Sequence, residues 1–118
     1  MNTHELIVNL IKFGVDTESA IERFMGDSEL YRQCLEAFID DGDFAALGAA
    51  LESKDCEKAF FAAHTLKGVA GNLGLEPMHA TLQEIVEPLR AGRCEGLEAE
   101  YEELLHELHS LKCTVRQS

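Results

Sequence analysis

His64, Lys67, Gly68, Gly71 and Gly74 all fall in the stretch AAHTLKGVAGNLGL, residues 62–75. An imidazole has an ordinary pKa near 6.5 and is a competent nucleophile at neutral pH. A lysine one helical turn away supplies a flexible cation, suited to offset the charge of a phosphoryl group carried on a ring nitrogen. Glycine inside a helix costs about 1 kcal/mol relative to alanine, so glycines beside a histidine need a reason. Clearing space for a phosphate and for a partner's active site is such a reason. The stretch supplies no general base, metal cluster or cradle of phosphate-binding amides. It reads as an acceptor and donor of phosphate whose partner does the catalysis.

The chain that must position these residues reads as helices. Only two prolines occur, no strand-like alternation persists, and apolar spacing is helical nearly throughout. A first helix is expected over about Thr3 to Phe13, stopped by Gly14. A short second one carries Ala20, Ile21, Phe24 and Met25 and ends at Gly26. A third begins near Asp27 or Ser28, breaks at DDGD (40–43) and resumes through Phe44, Leu47 and Leu51. The histidine helix spans about Asp55 to Leu73, with Gly74 as its stop. Pro77 opens the next helix, in which Pro88 predicts a kink or an early end. An acidic last helix is expected over about Gly96 to Cys113, with the tail TVRQS frayed. Helices of this length with short loops predict an all-α antiparallel bundle, with residues 1–118 forming one domain.

On a helical wheel, Ala62, Leu66, Val69 and Leu73 lie opposite His64 and form the expected core stripe. Phe60, Lys67, Gly68 and Gly71 fall within roughly 60° of the histidine, with Phe61 at the edge of that sector. Phe60 is read as an exposed apolar contact for docking, with core packing as the alternative.

Bulk properties narrow the classes. A formal net charge of -12 argues against nucleic acid and against anionic membrane surfaces as partners. No segment approaches the length of a membrane span, and the N-terminus lacks the pattern of a signal peptide. Cys34, Cys56, Cys94 and Cys113 show no metal-like spacing and are expected as reduced, structural cysteines of a cytoplasmic protein, with disulfides of a secreted domain as the alternative. His106, His109 and Glu102 have a spacing that could hold a metal, but a solvated acidic helix face is the expectation there. His4 and His79 have no companions. The initial methionine and the tail are read as those of a standalone protein.

HTLKGVAGNLG resembles the His-x-x-Lys-Gly-(x)5-Gly signature of histidine-containing phosphotransfer (HPt) domains. DSELYRQCLEAFIDD before it, LQEIVEPLRAG after it and the acidic last helix extend the resemblance over about residues 16–112. The resemblance implies an antiparallel four-helix bundle, here with an additional short N-terminal helix over 1–14. It implies His64 as phosphoacceptor, Lys67 as electrostatic helper, Gly68 and Gly71 as clearance positions and Gly74 as the helix end. The implied partners are receiver domains of response regulators, or a hybrid sensor histidine kinase. Mg²⁺ is expected on the receiver and no cofactor on this chain, which would have no autonomous kinase activity. Members often carry a glutamine or glutamate on the next helix within reach of the histidine ring. Val86 stands at the expected spacing, and Gln83 is the nearest substitute. Two other readings are a phosphoacceptor domain of the chemotaxis-kinase type and a non-catalytic helical adaptor.

Overall fold

Residues 2–116 are described in the computed structural model, and among them the regular structure is helical throughout. The elements are α1 (Thr3–Lys12), α2 (Thr17–Arg23), α3 (Ser28–Ile39), α4 (Asp43–Glu52), α5 (Cys56–Asn72), α6 (Glu76–Arg90) and α7 (Glu98–Arg116). Asn2, Asp16, Asp27 and Asp55 cap α1, α2, α3 and α5, each side chain accepting from the backbone N–H three residues on. Gly74, at φ +74°, turns the chain out of α5 in the left-handed region that glycine tolerates.

The helices α4 to α7 form the bundle, joined in sequence by short turns, and α5 lies between α4 and α6. The inner face of α5 is small: Ala59, Ala62, Ala63 and Ala70 are buried, with Leu66 the one large residue of its central turns. Small side chains at the contact let neighbouring helices approach closely. Leu82, Ile85, Val86 and Leu89 of α6 and Leu104, Leu108 and Leu111 of α7 fill the space opposite. α7 is fixed to α4 where the Tyr101 hydroxyl donates to the Phe44 carbonyl at 2.8 Å, beside Gly48. A Cβ at position 48 would collide with that phenol.

The second and third helices, with the cap of α2, close the end of α5. An α-helix leaves its last carbonyls without intrahelical partners. Arg23 of α2 donates to the Asn72 carbonyl at 2.9 Å, the buried Tyr31 hydroxyl of α3 donates to Leu73 at 2.7 Å, and the Asp16 N–H donates to Gly74 at 3.0 Å. The N-terminal segment is therefore part of the fold of the histidine helix.

Three expectations are corrected. Met25, assigned to an apolar stripe, follows the end of α2 at φ +59° and is 95% exposed. Pro88, where a kink or an early end was expected, lies in the last turn of α6, which ends two residues later at Arg90. Of the tail expected to fray, Thr114 to Arg116 remain in α7 and Val115 is buried, while Gln117 and Ser118 lie outside the described residues. Cys56 and Cys94 are not free thiols but a disulfide, with Cα atoms 5.2 Å apart. Cys34 and Cys113 are free. Closing 38 residues of chain, the bond contributes about 4 kcal/mol on the chain-entropy account.

Tyr31 provides a test of this end of the molecule. Burial pushes its hydroxyl up to about 12, with Arg23 opposing and Asp16 adding to the shift. The phenol of the unfolded chain ionises near 10, so the stability carried by the neutral hydroxyl is fully present below about pH 10. It is lost as pH rises toward 12. Tyr31→Phe is expected to lower the unfolding free energy by about 1–2 kcal/mol at neutral pH, by losing the bond to Leu73. It is also expected to flatten the decline between pH 10 and 12, measured by urea unfolding across pH.

Candidate functional site

His64 lies midway along α5 and is exposed, while Ala62, Ala63 and Leu66 around it turn inward. Its ring stacks on Phe60, one turn earlier, with centroids 5.4 Å apart and planes inclined by 11°. An offset stack of this kind fixes ring orientation without using either imidazole nitrogen. The guanidinium of Arg90, at the end of α6, lies 5.4 Å from the Phe60 centroid, and Arg90 Nε is 3.7 Å from a Glu87 carboxylate oxygen. Phe60 is therefore half-buried and packed against the core and the histidine. The expectation of an exposed docking contact at Phe60 is corrected, and its wheel position did not reveal the neighbour on α6. The exposed aromatic is Phe61, 72% accessible. It stands over an open groove between α4 and α5, lined also by Ala46, Ala49, Ala50 and Lys58.

Lys67 is half-buried, and its ammonium donates to Gln83 Oε1 at 2.6 Å. Gln83 Nε2 donates in turn to Glu87 Oε1 at 2.8 Å. Glu87 thus fixes which end of the amide faces the lysine. An ammonium has three donors, and the bond to Gln83 uses one. The expectation that Gln83 orients the histidine ring is corrected: its recorded bonds go to Lys67 and Glu87. Val86, at the spacing where the ring partner was sought, is buried in the core.

The glycines differ from one another. A Cβ at Gly68 would meet nothing within 4 Å, so the space beside the histidine is open there. At Gly71 a Cβ would lie 3.2 Å from Cδ2 of His79, so this glycine accommodates a ring from α6. The clearance expected of Gly71 is corrected to that extent. At Gly74 a Cβ would collide with the Asp16 carbonyl, so the helix stop is also where the N-terminal segment docks.

Elsewhere, His106 and His109 are exposed on α7, and His109 Nε2 is 3.7 Å from Cys113 Sγ. No group of three or more histidine, cysteine or acidic residues is arranged to hold a metal ion among the described residues. No helix among them is long and apolar enough to cross a membrane. Glu107 bridges α6 and α7, accepting from Thr81 at 2.9 Å. Burial, with help from Glu103 and Glu84, raises its carboxyl above the ordinary range, against the opposing Thr81 bond and His106.

A family model described as Hpt domain matches residues 22–112. Comparison with curated proteins and with solved structures gave no match. The matched stretch includes every residue of the site and leaves out α1 and most of α2.

The two glycines beside the histidine are separable by experiment. Gly68→Ala places its methyl in open space and should stabilise the protein by about 0.5–1 kcal/mol through helix propensity. Gly71→Ala must displace the His79 ring and should gain less. Equal gains in urea unfolding would remove the assignment of Gly71 to His79.

Proposed function

The chain belongs to the Hpt domain family, whose members take part in histidine phosphotransfer relays, and we propose that His64 is its phosphoacceptor. The observation that carries this reading is one juxtaposition. An exposed imidazole stacks on Phe60, open space lies over Gly68, and the Lys67 ammonium is held on the same side by Gln83.

The chemistry follows from these parts. The family's partners are receiver domains, which present phosphate as an aspartyl phosphate. A lone pair on an imidazole nitrogen forms the N–P bond as the bond between phosphorus and the aspartate oxygen breaks, and the carboxylate leaves with the electron pair of that P–O bond. The reverse step passes the phosphoryl group to a second receiver. Lys67 offsets negative charge on the equatorial oxygens with the donors that Gln83 leaves available. The receiver brings Mg²⁺, and this chain contributes the nucleophile, its orientation and the cation. Phe61 and the alanines beside it offer an apolar surface next to the histidine, suited to docking the receiver.

Incubation with a phosphorylated receiver domain should place acid-labile, base-stable label on the wild-type chain and none on His64→Gln. Label that persists in His64→Gln would sink the assignment. Phe61→Ala should weaken receiver binding about tenfold or more, roughly 1–2 kcal/mol, with thermal unfolding unchanged, by titration calorimetry and melting.

A further inference from the structure

The disulfide stands on the same helix face as the histidine. Cys56, Phe60 and His64 are spaced i, i+4, i+8 on α5, one turn apart in succession. Cys56 is the first residue of the helix, and Cys94 is buried in the loop between α6 and α7. The bond therefore ties that loop to the turn of α5 that precedes Phe60. The same loop continues from Arg90, whose guanidinium lies over the Phe60 ring. Cys56, Phe60, Leu89, Arg90 and Gly92 line one open groove, and the Cys56 sulfur is 3.6 Å from the Gly92 carbonyl oxygen. The ion pair Lys54–Glu95 also crosses to this loop, but both partners are exposed and 3.8 Å apart, an arrangement that holds little. A continuous set of contacts thus runs from the disulfide, through the loop and Arg90, to the ring on which His64 stacks.

We propose that Cys56–Cys94 is a reversible thiol–disulfide site that sets the Phe60–His64 stack and, through it, the rate of phosphotransfer. The reaction partner is a dithiol reductant. One of its thiolates attacks a sulfur of the pair to give a mixed disulfide, and its second thiol resolves this. Cys56 and Cys94 leave as thiols, and the reductant leaves as a disulfide with both electrons accounted for. Cys56 opens onto the groove, which gives the reductant access. Once opened, the two sulfurs can no longer sit at bonding distance. The loop then backs away from α5, and Arg90 and Phe60 lose the constraint that orients the histidine.

The regulatory half of this inference rests on the phosphotransfer reading, and the structural half does not. The test uses a Cys34→Ala/Cys113→Ser background, in which Cys56 and Cys94 are the remaining thiols. After air oxidation this protein should show no alkylatable thiol when denatured, and two after dithiothreitol. Reduction should shift the NMR resonance of the His64 ring Cε1–H, because the ring current of Phe60 depends on the stack. It should also slow transfer from a phosphorylated receiver by about three- to tenfold, the range of a weakened aromatic pair. Cys56→Ser/Cys94→Ser in that background should match the reduced form and ignore dithiothreitol. Two free thiols after oxidation, or a resonance and rate unchanged on reduction, would overturn the proposal. If neither form accepts phosphate while the resonance moves, the control of His64 stands and the phosphotransfer reading falls.

Discussion

The rest of the structure depends on the confinement of α5 between two neighbours. Its alanines at 59, 62, 63 and 70 bring α4 and α6 in close, so the helix is walled on two sides and keeps one narrow open stripe. His64 and Gly68 occupy that stripe, with Lys67 at its edge. The same packing gives the site rigidity, because a helix held along both flanks cannot swing its outward residues. Precision of this kind would suit the phosphoacceptor role proposed for His64. Leu66 alone brings bulk to the centre of the inner face, and the larger side chains of α6 and α7 complete the core around it.

The ends of α5 are held as firmly as its flanks. At its start, the Asp55 carboxylate caps the Lys58 N–H and the Cys56 bond ties down the loop after α6. At its finish, three successive carbonyls accept from Arg23, Tyr31 and the Asp16 N–H. Buried helix ends without partners would be costly, so α2, its capping residue and α3 remove a liability that the bundle alone would carry. Two of these donors, Arg23 and Tyr31, lie within the family match, and Asp16 lies just before it.

Charge around the histidine is arranged as a relay of side chains across the α5–α6 groove. Lys67, Gln83, Glu87 and Arg90 contact one another in order, and Arg90 returns to Phe60 and hence to His64. Glu87 restrains Arg90 directly and Lys67 only through the Gln83 amide. In a chain of net charge -12, the set places two cations, Lys67 and Arg90, on either side of one carboxylate, Glu87, beside the exposed face of α5.

Much of this was legible in the residues themselves. Helix caps, glycine stops and 3.6-residue periodicity are local signals, so the element order and the outward position of His64 followed from spacing alone. Which groove each outward residue faces did not. Phe60 and Phe61 differ by one 100° step, yet one lies against α6 and the other is exposed beside α4. The axial register of α5 against α6 pairs Gly71 with His79, Lys67 with Gln83 and Phe60 with Arg90. A wheel drawn for one helix contains no information about that register. The Cys56–Cys94 bond is of the same kind, joining residues 38 apart that meet because α5 and α6 run antiparallel and return the chain to its starting end. By itself the sequence determined the helices, the face of the histidine and the signature around it. Only the tertiary structure decided the histidine's neighbours, because those depend on how separate helices slide and rotate against one another.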